Sequence, residues 1–268
     1  MATLRASSRA NEADECWGHD GRFRPGSYIR QTLSTALFFV LGIIGSPAFW
    51  ILHAVAGRRI TPRQGQKMVR WLFRVYIVGM RALGTLRIEV RGFEALQEMR
   101  GTVIVSNHPA LLDALFLIAH LPPAACVMRA DLLGNPVMCG SALVAGYVTN
   151  DSGPAFVRQG IEKIRSGENL LIFPEGTRTT DPPLNRFKHG FAMVAVRSQA
   201  AVQTVVIEYR GAHLSKGVSL FSPAEAPLPF VLRAGERFLP QPAETAPEFS
   251  RRIEAWFRAE LKNSASLF

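Results

Sequence analysis

Two short segments hold the side chains that could do chemistry: residues 107–113 (NHPALLD) and residues 173–178 (FPEGTR). The first sets a histidine, His108, five positions before a carboxylate, Asp113. A hydroxyl that attacks a thioester needs a base that titrates near neutrality, a partner that orients the base, and donors for the developing oxyanion. His108 suits the base and Asp113 the group that holds its second ring nitrogen. On a regular helix five residues turn about 140° beyond a full circle, so the two side chains would not share a face. They meet if His108 lies in a loop and Asp113 in the first turns of the following helix, with Pro109 at the helix start. Alone, the pair also reads as a capping histidine with an aspartate favoured by the helix dipole. The second segment supplies Gly176, whose N–H could face an oxyanion or phosphate, and Arg178, a planar permanent cation suited to phosphate. Glu175 could bind a ligand hydroxyl or hold Arg178. Alone, this is also an ordinary turn with a surface ion pair. Downstream, Arg186, Lys188 and Gly190 add cations and a second glycine, and His189 is a rival base with no carboxylate near it in sequence.

The elements that must position these residues follow from hydrophobic patterning. Strand-like runs at 85–90, 102–105, 125–128, 170–173 and 202–208 alternate with helical patterns at 109–120, 154–167 and 188–199. This alternation predicts an α/β fold, a mixed sheet flanked by helices, with both motifs at carboxyl ends of strands, where ligands gather in such sheets. Residues 230–233 read as an edge strand, and 247–262 as a closing amphipathic helix.

Ahead of this domain lie a tail (residues 1–26, expected to be flexible) and a membrane-associated helical segment (27–85); the catalytic domain takes 86–268. Residues 31–57 contain no Asp, Glu, Lys or Arg. As a helix they would run about 40 Å, enough to span a bilayer. Gly45-Ser46-Pro47 is expected to interrupt the run, giving a kinked span or a re-entrant dip. Lys67, Arg70, Arg74 and Arg81 fall on one arc of a helix over 66–83, with Met68, Leu72, Val75 and Tyr76 on the other side. That pattern suits a helix lying in a lipid interface, or a scaffold helix with a solvated basic face. Residues 58–100 hold 10 basic and 3 acidic side chains, so most of the chain's net charge of +10 sits there, where anionic lipid would attract it. A nucleic-acid partner is not expected: no helix-turn-helix, zinc-finger or RNP pattern occurs, and the basic stretch adjoins an apolar run of membrane length. The three cysteines (Cys16, Cys126, Cys139) have no metal or disulfide spacing, which fits a reducing compartment. Walker, GxGxxG, HExxH and GxSxG motifs are missing from the sequence, which argues against NTPases, dinucleotide oxidoreductases, zinc hydrolases and nucleophile-elbow esterases.

The two motifs in tandem resemble those of the glycerolipid (lysophosphatidic acid) acyltransferase superfamily, over roughly residues 92–225. The resemblance implies that His108 is the general base and Asp113 its orienter. It also implies that Glu175, Gly176 and Arg178 form an acceptor-headgroup pocket, with Asn107, Thr177, Arg129 and Lys188 as further substrate-binding residues. No metal or cofactor and no covalent enzyme intermediate are implied; acyl-CoA or acyl-carrier protein donates directly to a lipid acceptor, and the cations on both flanks of the apolar run favour a dip into the inner membrane from its cytoplasmic face. Between the motifs the match is looser. Residues 128–132 (MRADL) stand where the family has Lys-x-Glu-Leu, and Thr204 stands where members often carry proline. Residues 146–151 (GYVTND) replace a block ending in a phosphate-holding arginine, and no arginine follows Arg129 until Arg158. The replacement resembles a bacterial subgroup with G-Y-x-x-N-D. The implied acceptor is 1-acylglycerol-3-phosphate, with a non-phosphate lipid or glycolipid, or a non-catalytic lipid-binding role on this fold, as alternatives.

Overall fold

The computed structural model describes residues 25–56, 59–150, 153–209, 211, 213–218 and 226–266. Residues 1–24 of the expected tail, Cys16 among them, Arg58, Asp151 and residues 219–225 lie outside the described residues, while Pro25 and Gly26, placed in the tail from the sequence, open a helix instead.

Seven strands form one mixed sheet: β1 (Leu86–Arg91), β2 (Val103–Ser106), β3 (Ala124–Met128), β4 (Val148–Thr149), β5 (Asn169–Ile172), β6 (Val202–Tyr209) and β7 (Leu228–Phe238), in the order β1-β7-β6-β2-β5-β3-β4. β6, β2, β5, β3 and β4 run parallel, β7 runs antiparallel to β6, and β1 is parallel to β7. β2 and β5 are buried at every position, as continuous apolar runs in a sheet covered on both faces should be. The strand expected at the edge, 230–233, is interior. β7 spans Leu228–Phe238 between β6 and β1, and the alternation of its inward residues Leu228, Phe230 and Leu232 looked like edge patterning because only one face is fully covered.

Helices α2 (Pro62–Ala82), α3 (Asp113–His120) and α4 (Cys139–Val144) contribute to the core on one face of the sheet. Helices α5 (Pro154–Arg165), α6 (Gly190–Ser198) and α7 (Ala246–Ser266) pack on the other. α2 starts with a reciprocal cap in which the Gln64 N–H donates to Thr61 Oγ1 and the Thr61 N–H to Gln64 Oε1, with Pro62 as the first helical residue. Its Val69, Tyr76, Ile77 and Met80 are buried in the same core as β1 and α3, so α2 is part of the domain rather than an appended unit. The arginines on its basic arc are tied to backbone carbonyls of the domain, although Arg74 and Arg81 stay exposed. Arg70 and Arg74 donate to the carbonyls of Ala119 and His120 at the end of α3, and Arg81 donates to Ile88 O. Carbonyls of a last helical turn lack intrahelical partners, and cations there also complement the helix dipole. The outward side of α2 instead shows Trp71, Val75 and Val78.

α1 (Pro25–Ala56) is one continuous helix, where an interruption at residues 45–47 was expected. Proline removes a single N–H, and the turn holding it is docked: Ser46 Oγ accepts the Gly140 N–H at 2.9 Å. A Cβ on Gly140 would run into the Ser46 carbonyl, so the two helices meet backbone to backbone there. α1 is long and apolar enough to cross a membrane, and Val40, Ile43, Ile44, Trp50, Ile51 and Val55 point away from the protein.

Candidate active site

β2 and β5 are adjacent and parallel, so the loops that leave their carboxyl ends emerge side by side, about one strand spacing apart. These loops carry His108 and the 173–178 turn. The polypeptide leaves β2 through Asn107, whose buried amide donates to Ile207 O and accepts from the Ile207 N–H, each at 2.8 Å. In effect the side chain extends the β2–β6 ladder by one rung. Asn107 is thereby a fastening for the loop.

His108 is held by both backbone groups and by its ring. Its N–H donates to Glu175 Oε1 at 2.8 Å, and its carbonyl accepts the Thr179 N–H at 2.8 Å. The ring stacks on Phe173 with centroids 4.3 Å apart, and Nδ1 lies 2.8 Å from Asp113 Oδ2. The helix starts at Asp113, four residues later than expected, because residues 109–112 turn tightly beneath it. Asp113 Oδ2 also accepts the Ala110 N–H at 2.7 Å, closing that turn. This geometry solves the spacing problem, since His108 and Asp113 are not on a common helix. Asp113 is fully buried, and burial pushes its carboxyl above the usual carboxylate range. The hydrogen bond from His108, that from Ala110 and the charge of Arg178 all oppose the shift. With Nδ1–H directed at the carboxylate, the Nε2 lone pair of His108 is left to accept a proton, and the side chain is 19% exposed.

Glu175 is 3% exposed and its oxygens are occupied. They accept the N–H groups of His108 and Asn185 and the hydroxyl of Thr179, at 2.8–3.0 Å. Burial raises its carboxyl, and those hydrogen bonds pull it back. It therefore braces three segments, and neither of the two roles read from the sequence, binding a ligand hydroxyl or holding Arg178, matches its contacts. The Gly176 N–H donates to Phe173 O at 3.0 Å, closing the turn, so it is not the oxyanion donor expected from the sequence. The glycine is needed for another reason: φ is +71°, and a Cβ would lie 2.7 Å from Lys188 Nζ. Lys188 thus lies against the motif, as the sequence placed it. Thr177 and Arg178 are partly exposed on the same turn, and Arg178 Nη1 donates to the carbonyls of Leu214 and Ser215. Arg129 is exposed and paired with its neighbour Asp131 at 2.8 Å, with no contact to the cluster. Sequence reasoning missed Phe173 as the ring's stacking partner, Thr179 and Asn185 as partners of Glu175, and the 213–215 segment as the seat of Arg178. Only the aromatic at 173 was visible locally. A cleft of about 290 Å³ borders the cluster, lined among others by Asn107, Pro109, Thr179, Tyr209 and Ser215.

An α/β sheet with a buried-carboxylate–imidazole pair in the loop after one central strand and an arginine-bearing turn after the next defines a class that moves acyl groups. A family model described as Acyltransferase matches residues 87–208. The lyso-ornithine lipid O-acyltransferase of Pseudomonas aeruginosa is 31% identical over 197 residues, covering 68% of this chain and 70% of that protein. Human 1-acyl-sn-glycerol-3-phosphate acyltransferase beta is 30% identical over 189 residues, or 67% of this chain; the match spans 64% of the human protein's length. The crystal structure of the 1-acyl-sn-glycerophosphate acyltransferase of Thermotoga maritima superposes with a TM-score of 0.70 over 89% of this chain and 98% of that one, at 21% identity, which speaks for the fold. The chain belongs to the acyltransferase family.

Proposed function

We propose that this protein is a membrane-associated O-acyltransferase that moves a fatty acyl group from a thioester donor, acyl-CoA or acyl-carrier protein, to a lysolipid hydroxyl, with 1-acylglycerol-3-phosphate as the first acceptor. The observation that carries the reading is the 2.8 Å contact of His108 Nδ1 with the buried Asp113 carboxylate. The acceptor hydroxyl gives its proton to His108 Nε2 as its oxygen attacks the thioester carbonyl. Asp113 fixes the tautomer and stabilises the imidazolium. The tetrahedral oxyanion collapses, the C–S bond breaks, and the leaving thiolate takes the proton back from His108, leaving an ester and a free thiol. Arg178 spends Nη1 on two carbonyls and keeps its remaining N–H groups for an anionic headgroup or the oxyanion. Lys188 adds a second cation beside the turn. The outward apolar residues of α1 and α2 face the bilayer, and cations such as Lys67 and Arg63 meet anionic headgroups at its surface.

A second acceptor is favoured by one observation. Residues 130–157 contain no arginine, and Asn150-Asp151 stand where a phosphate-holding arginine would, which suits a lipid headgroup without a phosphomonoester, such as a lyso-ornithine lipid. Both readings are tested by purified protein in mixed micelles, with each donor offered 1-acylglycerol-3-phosphate, a lyso-ornithine lipid and a total lipid extract, and products read by mass spectrometry. Acylation of the phosphate acceptor that vanishes in His108→Ala supports the first reading. Acylation confined to another lipid supports the second, and activity within a few-fold of wild type in His108→Ala overturns the mechanism.

A further inference from the structure

Helix α1 is apolar and mostly exposed, yet it buries Gln31, Ser34, Thr35 and Ser46 against the domain. One of these reaches toward the site. Gln31 Nε2 lies 3.1 Å from Nε2 of His213, and both side chains are buried. Burial lowers the His213 imidazole from its ordinary range, which suits a ring whose Nε2 accepts the Gln31 N–H. The next residue, Leu214, is a junction. Its carbonyl takes Arg178 Nη1 at 3.0 Å and the Leu111 N–H at 2.9 Å, and its N–H reaches Tyr209 Oη at 3.4 Å. The Ser215 carbonyl takes Arg178 Nη1 at 2.9 Å. Leu111 lies in the tight turn between His108 and Asp113. A continuous set of contacts therefore runs from the apolar helix through one residue pair to both the arginine and the catalytic turn.

Gln31 Oε1 and His213 Nδ1 are buried and have no partner among the described residues. A single neutral hydrogen bond contributes little net stability of its own. It persists because packing of α1 further along, at Gly42, Gly45 and Ser46, presses the helix onto the domain.

We propose that Gln31 and His213 are positioning residues, through which the seating of α1 on the domain sets Arg178 and the 108–113 turn in their working arrangement. This rests on the reading of Arg178 as an acceptor contact only for its kinetic consequence. The order of the turn is a separate readout. The test uses the full chain in lipid nanodiscs, with Gln31→Leu, His213→Leu, the double variant, His213→Gln as a conservative replacement able to pair with Gln31, and Arg178→Ala. Hydrogen exchange is followed on segments covering 108–113 and 176–179, with acceptor KM and kcat measured alongside. Gln31→Leu and His213→Leu should each speed exchange at Leu111 about tenfold and raise acceptor KM about five- to tenfold. The double variant should be no worse than either single, and His213→Gln should recover most of the effect. The added KM effect should disappear in the Arg178→Ala background. Unchanged exchange in both leucine variants, with the proteins folded, overturns the inference. So do additive losses in the double variant. Faster exchange with unchanged acceptor KM, and an Arg178→Ala variant equally without effect on KM, upholds the seating role and refutes Arg178 as an acceptor contact.

Discussion

Replacing Glu175 by glutamine separates two roles that the same residue could play beside a catalytic histidine. In the structure the carboxylate accepts two backbone N–H groups, from His108 and Asn185, plus the Thr179 hydroxyl, and it is 3% exposed. A glutamine keeps the shape but only one acceptor oxygen. Its NH₂ must then face one of the two backbone donors, because Thr179 alone can reverse its role. One buried donor left unpaired costs about 1–3 kcal/mol. For a chain of this size that lowers the melting temperature by about 2–4 °C per kcal/mol. Alanine loses both acceptors and should cost about twice as much. The displaced donor matters for rate as well. If the His108 backbone moves by about 1 Å, kcat falls on the order of 100-fold while acceptor KM changes little. Thermal unfolding and steady-state kinetics on the purified variant check both numbers. A Glu175→Gln protein as stable as wild type, with acceptor KM raised tenfold and kcat intact, would refute the bracing argument and return Glu175 to the acceptor pocket.

Asp113→Asn should lower kcat by about 10²–10⁴-fold in a folded protein, since a neutral amide, even with its oxygen kept toward His108 Nδ1 and the Ala110 N–H, no longer stabilises the imidazolium; circular dichroism and single-turnover rates check it. Placing lysine at both Ile44 and Ile51, exposed on the outer side of α1, should weaken membrane retention by about 2.5–3.5 kcal/mol per site near the helix centre, read by liposome flotation. His120 is half-buried near Arg74, Arg81 and Arg70; burial first, then these charges, lower its imidazole from 6.5, against the opposing hydrogen bond to Phe116 O. The folded state therefore resists protonation that the unfolded chain accepts. Stability should be fully present above the unfolded value and fall as pH drops below it, and His120→Gln should flatten that slope in pH-dependent denaturation.

Much of the scaffold was legible because it is local. The strands at 103–106, 169–172 and 202–209 announced themselves as apolar runs, and α5 and α6 by their 3.6-residue period and flanking Gly or Pro. The His108–Asp113 pair was legible too, down to the need for a loop before the helix. What failed was long-range. Pro47 looked like a break because nothing near it in sequence shows that the Ser46 turn docks on Gly140. The bonds of Arg70 and Arg74 were not legible because their partners, the carbonyls of Ala119 and His120, lie far along the chain. The Gly176 N–H looked available because the turn it closes onto Phe173 O is a matter of backbone geometry. The fastening role of Asn107 was not legible because its partner, the backbone of Ile207, belongs to another strand.

The sheet order explains why two motifs so far apart in sequence form one site. β2 and β5 are neighbours in the middle of the sheet, and the chain leaves them in opposite lateral directions: from β2 past β5 to β3, and from β5 past β2 to β6. At such a point the two departing loops diverge over the sheet and leave a crevice between them. Closing that crevice needs bonds across it, and the structure places them on His108. Its N–H goes to Glu175 on one loop, its carbonyl takes Thr179 from the same loop, and its ring lies on Phe173 at the end of β5. The proposed base is thereby fixed at backbone and ring, while its side chain stays 19% exposed. Precision at Nε2 comes from the β5 loop and the Asp113 carboxylate together, so neither motif could be expected to work on a sheet in which β2 and β5 were not adjacent.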